Sequence, residues 1–323
     1  MVKRWVLRET DPLKFARLQT SLNIHPVLLQ LLVQRGISTF EEAKKFFRPG
    51  LSDLHDPFLM KDMDKAIERI EMAIANKEKV LIYGDYDVDG TTSVATVYSF
   101  FLEFGLSVDY YIPNRYSEGY GISSTGIDWA KENGFTLIIA LDCGIKSVDK
   151  IDYANKLSID FIICDHHLPG EKIPAAVAVL DPKRKDCDYP YKELSGCGIG
   201  FKLISAFAQK NDLPDESYLN YLDFVVVSIA SDIVPITGEN RVLAFYGLQK
   251  INSQPSEGLR ALMQSNKAKK EFSISDLVFV IGPRINAAGR MDDARNAVKL
   301  LISPSAIHAT DNAEILNKHN INR

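Results

Sequence analysis

Short runs of consecutive apolar residues, each ending on an acid or a histidine, constrain this chain more than any other feature. Val80-Leu81-Ile82-Tyr83 leads into Gly84-Asp85-Tyr86-Asp87-Val88-Asp89-Gly90, residues 137–141 lead into Asp142, and residues 161–164 lead into Asp165-His166-His167. Uninterrupted apolar runs separated by helical patterns belong to strands covered on both faces, which means a parallel sheet. Residues 108–112 and 176–180 extend the series, and helical segments are expected near 91–105, 123–133 and 146–157. The expected fold class is therefore α/β, a parallel β-sheet flanked by helices. Open sheets of this kind place their ligands at the carboxyl ends of the strands. The acidic and imidazole groups should converge there.

Three carboxylates within five residues, Asp85, Asp87 and Asp89, repel one another unless a cation lies among them. The spacing is not that of an EF-hand, which needs a terminal Glu and flanking helices. Asp142 alone could be a helix cap before Cys143-Gly144-Ile145. Asp165 beside two adjacent histidines is harder to explain as capping, because neighbouring imidazoles point in different directions. One can ligate a metal while the other contacts phosphate or a second ion, with Asp165 holding ring orientation. Carboxylate and imidazole donors without thiolate suit Mn²⁺ or Mg²⁺. Two such ions sharing a carboxylate, about 3.5–4 Å apart, supply water activation and charge stabilisation for phosphoester hydrolysis.

Composition sets outer bounds. A chain of 323 residues exceeds a single typical domain. A net charge of −4 argues against a broadly basic binder, although a local basic groove can still guide a polyanion past a carboxylate cluster. No secretory h-region opens the chain, and the apolar stretch 224–230, broken only by Ser228, is far short of a membrane span. Cys143, Cys164, Cys187 and Cys197 form no C-x-x-C pair and read as packed thiols of a cytoplasmic protein. No G-x-G-x-x-G follows the first strand, which disfavours a dinucleotide-binding fold.

Residues 1–60 read as an N-terminal helical extension. Apolar residues 27–33 precede a stop at Gly36, and Ser38-Thr39 followed by Glu41-Glu42 offers a capped helix start. Ala66, Ile67, Ile70, Met72, Ala73 and Ile74 recur at helical spacing before the first strand. Further on, Lys183-Arg184-Lys185-Asp186 looks like a surface loop, 198–210 and 216–230 look helical, and 218–230 is apolar nearly all round, as in a buried helix. Residues 253–272 look loop-like or weakly helical, with Lys267, Lys269 and Lys270 as a solvated face.

Asp85-Tyr86-Asp87-Val88-Asp89-Gly90, Asp142-Cys143-Gly144 and Asp165-His166-His167 together resemble the ordered motifs of the DHH phosphoesterase superfamily. Pro113-Asn114-Arg115, Glu118-Gly119-Tyr120-Gly121, Ser195-Gly196-Cys197-Gly198 and residues 283–289 resemble its bacterial single-strand-specific exonucleases. The resemblance implies metal ligands at Asp87, Asp89, Asp142, His166 and Asp232, with Asp142 bridging two divalent ions, Mn²⁺ or Mg²⁺. It implies that His167 is catalytic or a further ligand and that Asp85 is a supporting residue; Asp165 joins them as a site residue. Arg115, Arg284 and Arg290 resemble phosphate-binding positions, for which guanidinium forks are suited. Tyr116 and Tyr120 could stack on bases or pack in the core.

The implied activity is 5′→3′ hydrolysis of single-stranded DNA to 5′-mononucleotides in repair and recombination. Single-stranded DNA is the implied partner, alongside a single-strand-binding protein and a helicase, with no membrane. The competing expectations are a phosphodiesterase of short oligonucleotides or cyclic dinucleotides, a pyrophosphatase, and a non-catalytic DNA-binding relative. Residues 61–303 are expected to form the catalytic domain. Residues 304–323 would begin a linking helix to a second domain, carrying a Gly-Gly-His motif, that this chain lacks.

Overall fold

Five apolar segments form strands: β1 (Lys79–Gly84), β2 (Ser107–Tyr111), β3 (Phe135–Leu141), β4 (Asp160–Cys164) and β5 (Ala178–Leu180). All pair in parallel, in the order β2-β1-β3-β4-β5. The computed structural model describes residues 4–264, 271–291 and 293–321, with the side chains of 290, 291 and 318–321 outside that description. The chain divides into two compact units, Met1–Leu54 and His55–Arg323.

The first unit holds α1 (Pro12–Ser21), α2 (Pro26–Gln34) and α3 (Phe40–Phe47). Leu18, Leu29, Leu32, Val33 and Ala43 form its small core. Gly36 at φ 84° follows α2, a left-handed conformation that glycine adopts without strain. Thr39 caps α3 in a reciprocal box with Glu42.

In the second unit, α4 (Met63–Ala75) leads into β1. It buries Ala66, Ile67, Ile70 and Ala73, whereas Met72 and Ile74 face outward. Then come α5 (Val88–Glu103), α6 (Ser124–Glu132), α7 (Val148–Lys156), α8 (Gly196–Lys210), α9 (Glu216–Leu219), α10 (Leu222–Ser231), α11 (Gly238–Ser253) and α12 (Glu257–Gln264). A three-residue turn, α13 (Ile274–Asp276), a π-helical turn at Leu277–Ile281, α14 (Gly282–Met291), α15 (Arg295–Leu301) and α16 (Ala306–Ile321) follow.

Strand side chains alternate between faces. Leu81, Tyr83, Ile138, Ala140, Phe161 and Ile163 pack with Ile127 and Ala130 of α6 and Ile151 and Ala154 of α7. Helices α5 and α8 lie on the other face, where Gly200 of α8 sits against Leu141 and Val97. The sheet is thus covered on both sides, as continuous apolar strands require. All four cysteines are buried and unpaired. No described helix is long and apolar enough to cross a membrane.

Several boundaries differ from the sequence pattern. Asp87 accepts the Gly90 N–H at 2.9 Å, so α5 starts at Val88 instead of 91 and takes Asp89 into its first turn. The helix expected over 216–230 breaks at Asn220-Tyr221, where the Tyr221 N–H turns back to Tyr218 O at 3.2 Å. Within 253–272, residues Glu257–Gln264 are a true helix burying Leu259 and Leu262; Lys267, Lys269 and Lys270 lie outside the described residues. The basic stretch after β5 is not simply a surface loop. Arg184 is buried, donating to Asp62 and Val179 O at 2.6 Å each and to both Asp186 oxygens at 3.0 and 2.9 Å. Its charge is held inside because two carboxylates and a strand carbonyl absorb its donors.

Arg184→Ala should therefore destabilise the protein by about 3 kcal/mol, since it removes a buried guanidinium from Asp62 and the Val179 carbonyl and leaves Asp62 only the exposed Lys65 at 2.8 Å. Urea unfolding measures this, and a loss below about 0.5 kcal/mol, typical of an exposed pair, would contradict it.

Candidate active site

The register of the sheet builds the site. Gly84 pairs with Leu141, Leu141 with Cys164 and Cys164 with Leu180. The next residue on each strand is an aspartate, so Asp85, Asp142, Asp165 and Asp181 form a row along the carboxyl edge. The row is tightened by Asp142 N–H donating to Cys164 O at 2.8 Å and Asp165 N–H to Leu180 O at 3.0 Å. All four are buried. The chain reverses direction across the sheet between β1 and β3, the position where open α/β sheets bind ligands.

Asp142 carries unusual backbone geometry, a φ of 60° in a non-glycine residue. Gly196 explains part of it: a Cβ there would lie 2.6 Å from Asp142 Cβ. Beside it, His166 Nε2 is 3.2 Å from Asp142 Oδ1, 3.5 Å from Asp232 Oδ2 and 3.7 Å from Asp89 Oδ2. Yet neither His166 nitrogen, nor Asp142 Oδ1, has a hydrogen-bond partner among the described residues, though all three are buried. Buried polar atoms left unpaired at van der Waals range of one another are costly without something between them. Two overlapping groups bring donor atoms within 4.8 Å of one another: Asp142, His166 and His167, and Asp89, His166 and Asp232.

Asp89 is fixed by protein donors. Gly196 and Cys197 N–H groups, at the start of α8, donate to it at 2.7 and 2.8 Å, and Ser228 Oγ at 2.7 Å. Ser195 caps α8 by accepting the Gly198 N–H at 3.1 Å. Asp87 belongs to neither group; it caps α5 and lines an adjoining cavity. Asp165 accepts the Ile145, His166 and His167 amides at 2.9, 2.8 and 3.1 Å and holds His167 Nδ1 at 2.7 Å. The opposite ring nitrogen of His167 is 3.3 Å from the Tyr120 hydroxyl, which also donates to Asp142 O at 3.2 Å.

The cavity, about 260 Å³, is lined by Asp85, Tyr86, Asp87, Arg115, Tyr120, Asn286 and Gly289. The Arg115 guanidinium lies over the Tyr86 ring, 5.1 Å from its centroid. Gly289 is required by close approach: a Cβ there would be 2.5 Å from Tyr86 O. Tyr116 and Tyr120 are exposed, 76% and 55%, so neither packs in the core. Arg284 does not line the cavity; it donates to Asn317 Oδ1 at 2.9 Å and to Val280 O. The Arg290 side chain lies outside the described residues.

Charge crowding shows in the titration of the cluster. Burial, then the neighbouring Asp87 charge, pushes Asp85 up to about 7 against a smaller pull from the Tyr86 and Gly121 amides. Burial, then Asp89 and Asp87, raises Asp232 to about 7 and Asp142 well above the carboxylate range. Burial also raises Asp87. Burial would raise Asp165 too, but His167 and the backbone amides outweigh it and hold it low. His166 is lowered by burial, whereas Asp165 raises His167.

Sequence reasoning missed the roles of three residues. Ser228, which donates to Asp89, sits in a helical pattern that carries no chemistry on its own, and Ser195, read within its motif, takes the unforeseen role of hydrogen-bonding to the Ser228 hydroxyl at 2.6 Å. Asp181 repeats the strand-end aspartate of β1, β3 and β4, and that repetition was the available signal. Burial raises it to about 7.

The DHH family, N-terminal domain, matches residues 79–229, from the start of β1 to within three residues of Asp232. The single-stranded-DNA-specific exonuclease RecJ of Bacillus subtilis (strain 168) is 39% identical over 321 residues, covering 99% of this chain and 40% of the relative. A crystal structure of exonuclease RecJ bound to manganese superposes with a TM-score of 0.77 at 30% identity, covering 84% of this chain and 68% of that one. The chain belongs to the RecJ family of DHH proteins. A second RecJ structure, from Thermus thermophilus in complex with Mn²⁺, gives a TM-score of 0.84 at 26% identity over 99% of this chain and 45% of that one. The chain spans about half the length of the RecJ sequences it matches.

Without divalent ions, the raised carboxyls stabilise the fold while protonated, and that contribution is lost as pH rises through their folded values near 7. The melting temperature in chelator should therefore fall between pH 5 and pH 8, and fall less steeply in Asp85→Asn. A flat or rising profile in calorimetry would contradict this reading.

Proposed function

We propose that this chain is the catalytic part of a metal-dependent exonuclease that degrades single-stranded DNA from its 5′ end to 5′-mononucleotides, in repair and recombination within the cytoplasm. The observation that carries the reading is the unpaired Asp142–His166 contact, buried at the aligned strand ends among Asp89, Asp232 and His167. Membership of the RecJ family, whose relatives are named single-stranded-DNA-specific exonucleases, supports the substrate.

The donor set fits a divalent ion of the Mn²⁺ or Mg²⁺ class: carboxylate and imidazole, buried and without thiolate. Asp87, Asp89, Asp142, His166 and Asp232 would hold two ions, with Asp142 shared. When bound, such ions supply water activation and stabilisation of the charge that develops on the transferring phosphoryl group.

The chain's own residues do the rest. Gly196, Cys197 and Ser228 hold Asp89 so that a carboxylate edge faces His166. Asp165 fixes the His167 ring with Nδ1 inward and Nε2 turned to the Tyr120 hydroxyl at 3.3 Å, where it would serve substrate or proton transfer. Asp85, buried in the cavity wall, would support the cluster. Arg115, exposed beside that cavity, is placed to meet a backbone phosphate. Arg284 is already committed to Asn317 and Val280, which favours a scaffold role for it, and Arg290 remains a proposed phosphate contact. Tyr120 lines the cavity and Tyr116, exposed on the same loop, is the second candidate for stacking, which would hold unpaired bases without reading sequence. A single-strand-binding protein and a helicase would supply the strand.

Single strands labelled at either end, incubated with Mn²⁺, test the reading. Mononucleotides should come first from the 5′ label, and Asp142→Ala should cut the rate by at least about 10³-fold with the fold intact. Release first from the 3′ label, equal digestion of blunt duplex, or near-normal activity of Asp142→Ala would each overturn it.

A further inference from the structure

The loop between β2 and α6 carries Arg115 and Tyr120 to the site, yet the carboxylate that binds it together has no part in the chemistry above. Glu118 Oε1 accepts the Asn114 N–H at 2.8 Å. Its Oε2 accepts the Tyr111 hydroxyl at 2.9 Å, from the end of β2, and Ser123 Oγ at 2.5 Å, from the cap of α6. One half-buried carboxylate therefore clamps the beginning, the middle and the end of the loop.

The main chain closes on the same pair. Glu118 and Gly119 N–H groups donate to Asn114 O at 2.9 and 3.3 Å. Tyr116 and Ser117 amides donate to Asn114 Oδ1 at 3.0 and 3.1 Å, a side-chain-closed turn. Gly119 and Gly121, at φ 86° and 80°, then turn the chain so that Tyr120 between them points back to the sheet edge. Beyond them the buried Tyr83 hydroxyl donates to Gly121 O at 2.9 Å and accepts the Ser123 N–H at 3.1 Å. A connecting loop has no need of so many fixed donors. This one ends with the Tyr120 hydroxyl on His167 Nε2 and Asp142 O, and Arg115 over Tyr86.

We infer that Glu118 is a positioning residue, whose three-donor clamp holds Tyr120 against His167 and Asp142 and so aligns the hydrolytic site. The inference rests on the function proposed above. Glu118→Gln is the informative change, because it keeps size and one acceptor oxygen but replaces the other by an NH2 that cannot accept, so the Tyr111 and Ser123 hydroxyls lose their bonds to a charged oxygen.

Glu118→Gln, Tyr120→Phe and the double variant of this chain are compared on 5′-phosphorylated single strands with Mn²⁺, and amide exchange of residues 112–123 is followed by mass spectrometry. Glu118→Gln should lower kcat about tenfold with KM within about threefold, and add no further loss in the Tyr120→Phe background. Exchange across the loop should rise about tenfold while the melting temperature moves by only about 2 °C. Unchanged kcat, losses that multiply in the double variant, or unchanged exchange would overturn the inference. If the unsubstituted chain hydrolyses no single strands, the proposed function fails. The exchange measurement then still decides the clamp.

Discussion

Like charges brought together by strand register are the constraint on which the rest of this structure depends. Parallel pairing sets Gly84, Leu141, Cys164 and Leu180 in line, and the aspartate that follows each one is forced to the same edge. Four carboxylates in a row, with Asp87 and Asp89 beside them, would push the edge apart in water-poor surroundings. The protein answers differently at each position. Asp165 is neutralised by His167 and three amides, and Asp89 by the start of α8 and Ser228. Asp142 receives no such donors on its Oδ1 and instead faces an equally unpartnered imidazole. That difference separates Asp165 and Asp89, held by protein donors, from Asp142; both Asp85 oxygens and Asp181 Oδ2 are likewise buried without a hydrogen-bond partner among the described residues.

Small residues let this crowding exist. Gly196 admits Asp142 in its left-handed conformation, and Gly289 lets α14 approach the Tyr86 carbonyl. A methyl group at either position would collide with backbone or with a Cβ, so neither site can be relaxed by a side-chain rotation. The segments that a motif reader sees as separate, around 195–198 and 283–289, are thus walls fitted to one edge of the sheet.

Much of this was legible in the sequence for a physical reason. Continuous apolar runs ending in Asp read as buried parallel strands with polar tips, and four of them, before Asp85, Asp142, Asp165 and Asp181, predict both the sheet and the place of its ligand site. The way Asp89 is held was hidden, because its donors, the Gly196 and Cys197 amides and Ser228 Oγ, lie more than a hundred residues away and no local pattern marks Ser228. Arg184 was misread for the opposite reason: a Lys-Arg-Lys-Asp stretch looks solvated until Asp62, 122 positions away, takes its guanidinium inward. Arg284 also changed meaning in three dimensions, since Asn317 and Val280 absorb the fork expected to meet phosphate. Helix ends moved where a side chain, as at Asp87, supplied a cap one turn earlier than periodicity alone would place it.

The central claim is that the unpaired Asp142–His166 edge is built for divalent cations. Titration of the metal-free protein with Mn²⁺, followed through the electron paramagnetic resonance signal of the free ion, tests it without reference to any substrate. The account predicts saturable binding of about two ions per chain at pH 7.5, reduced to one or none in Asp142→Asn. Binding that fails to saturate, or that is the same in Asp142→Asn, would contradict it.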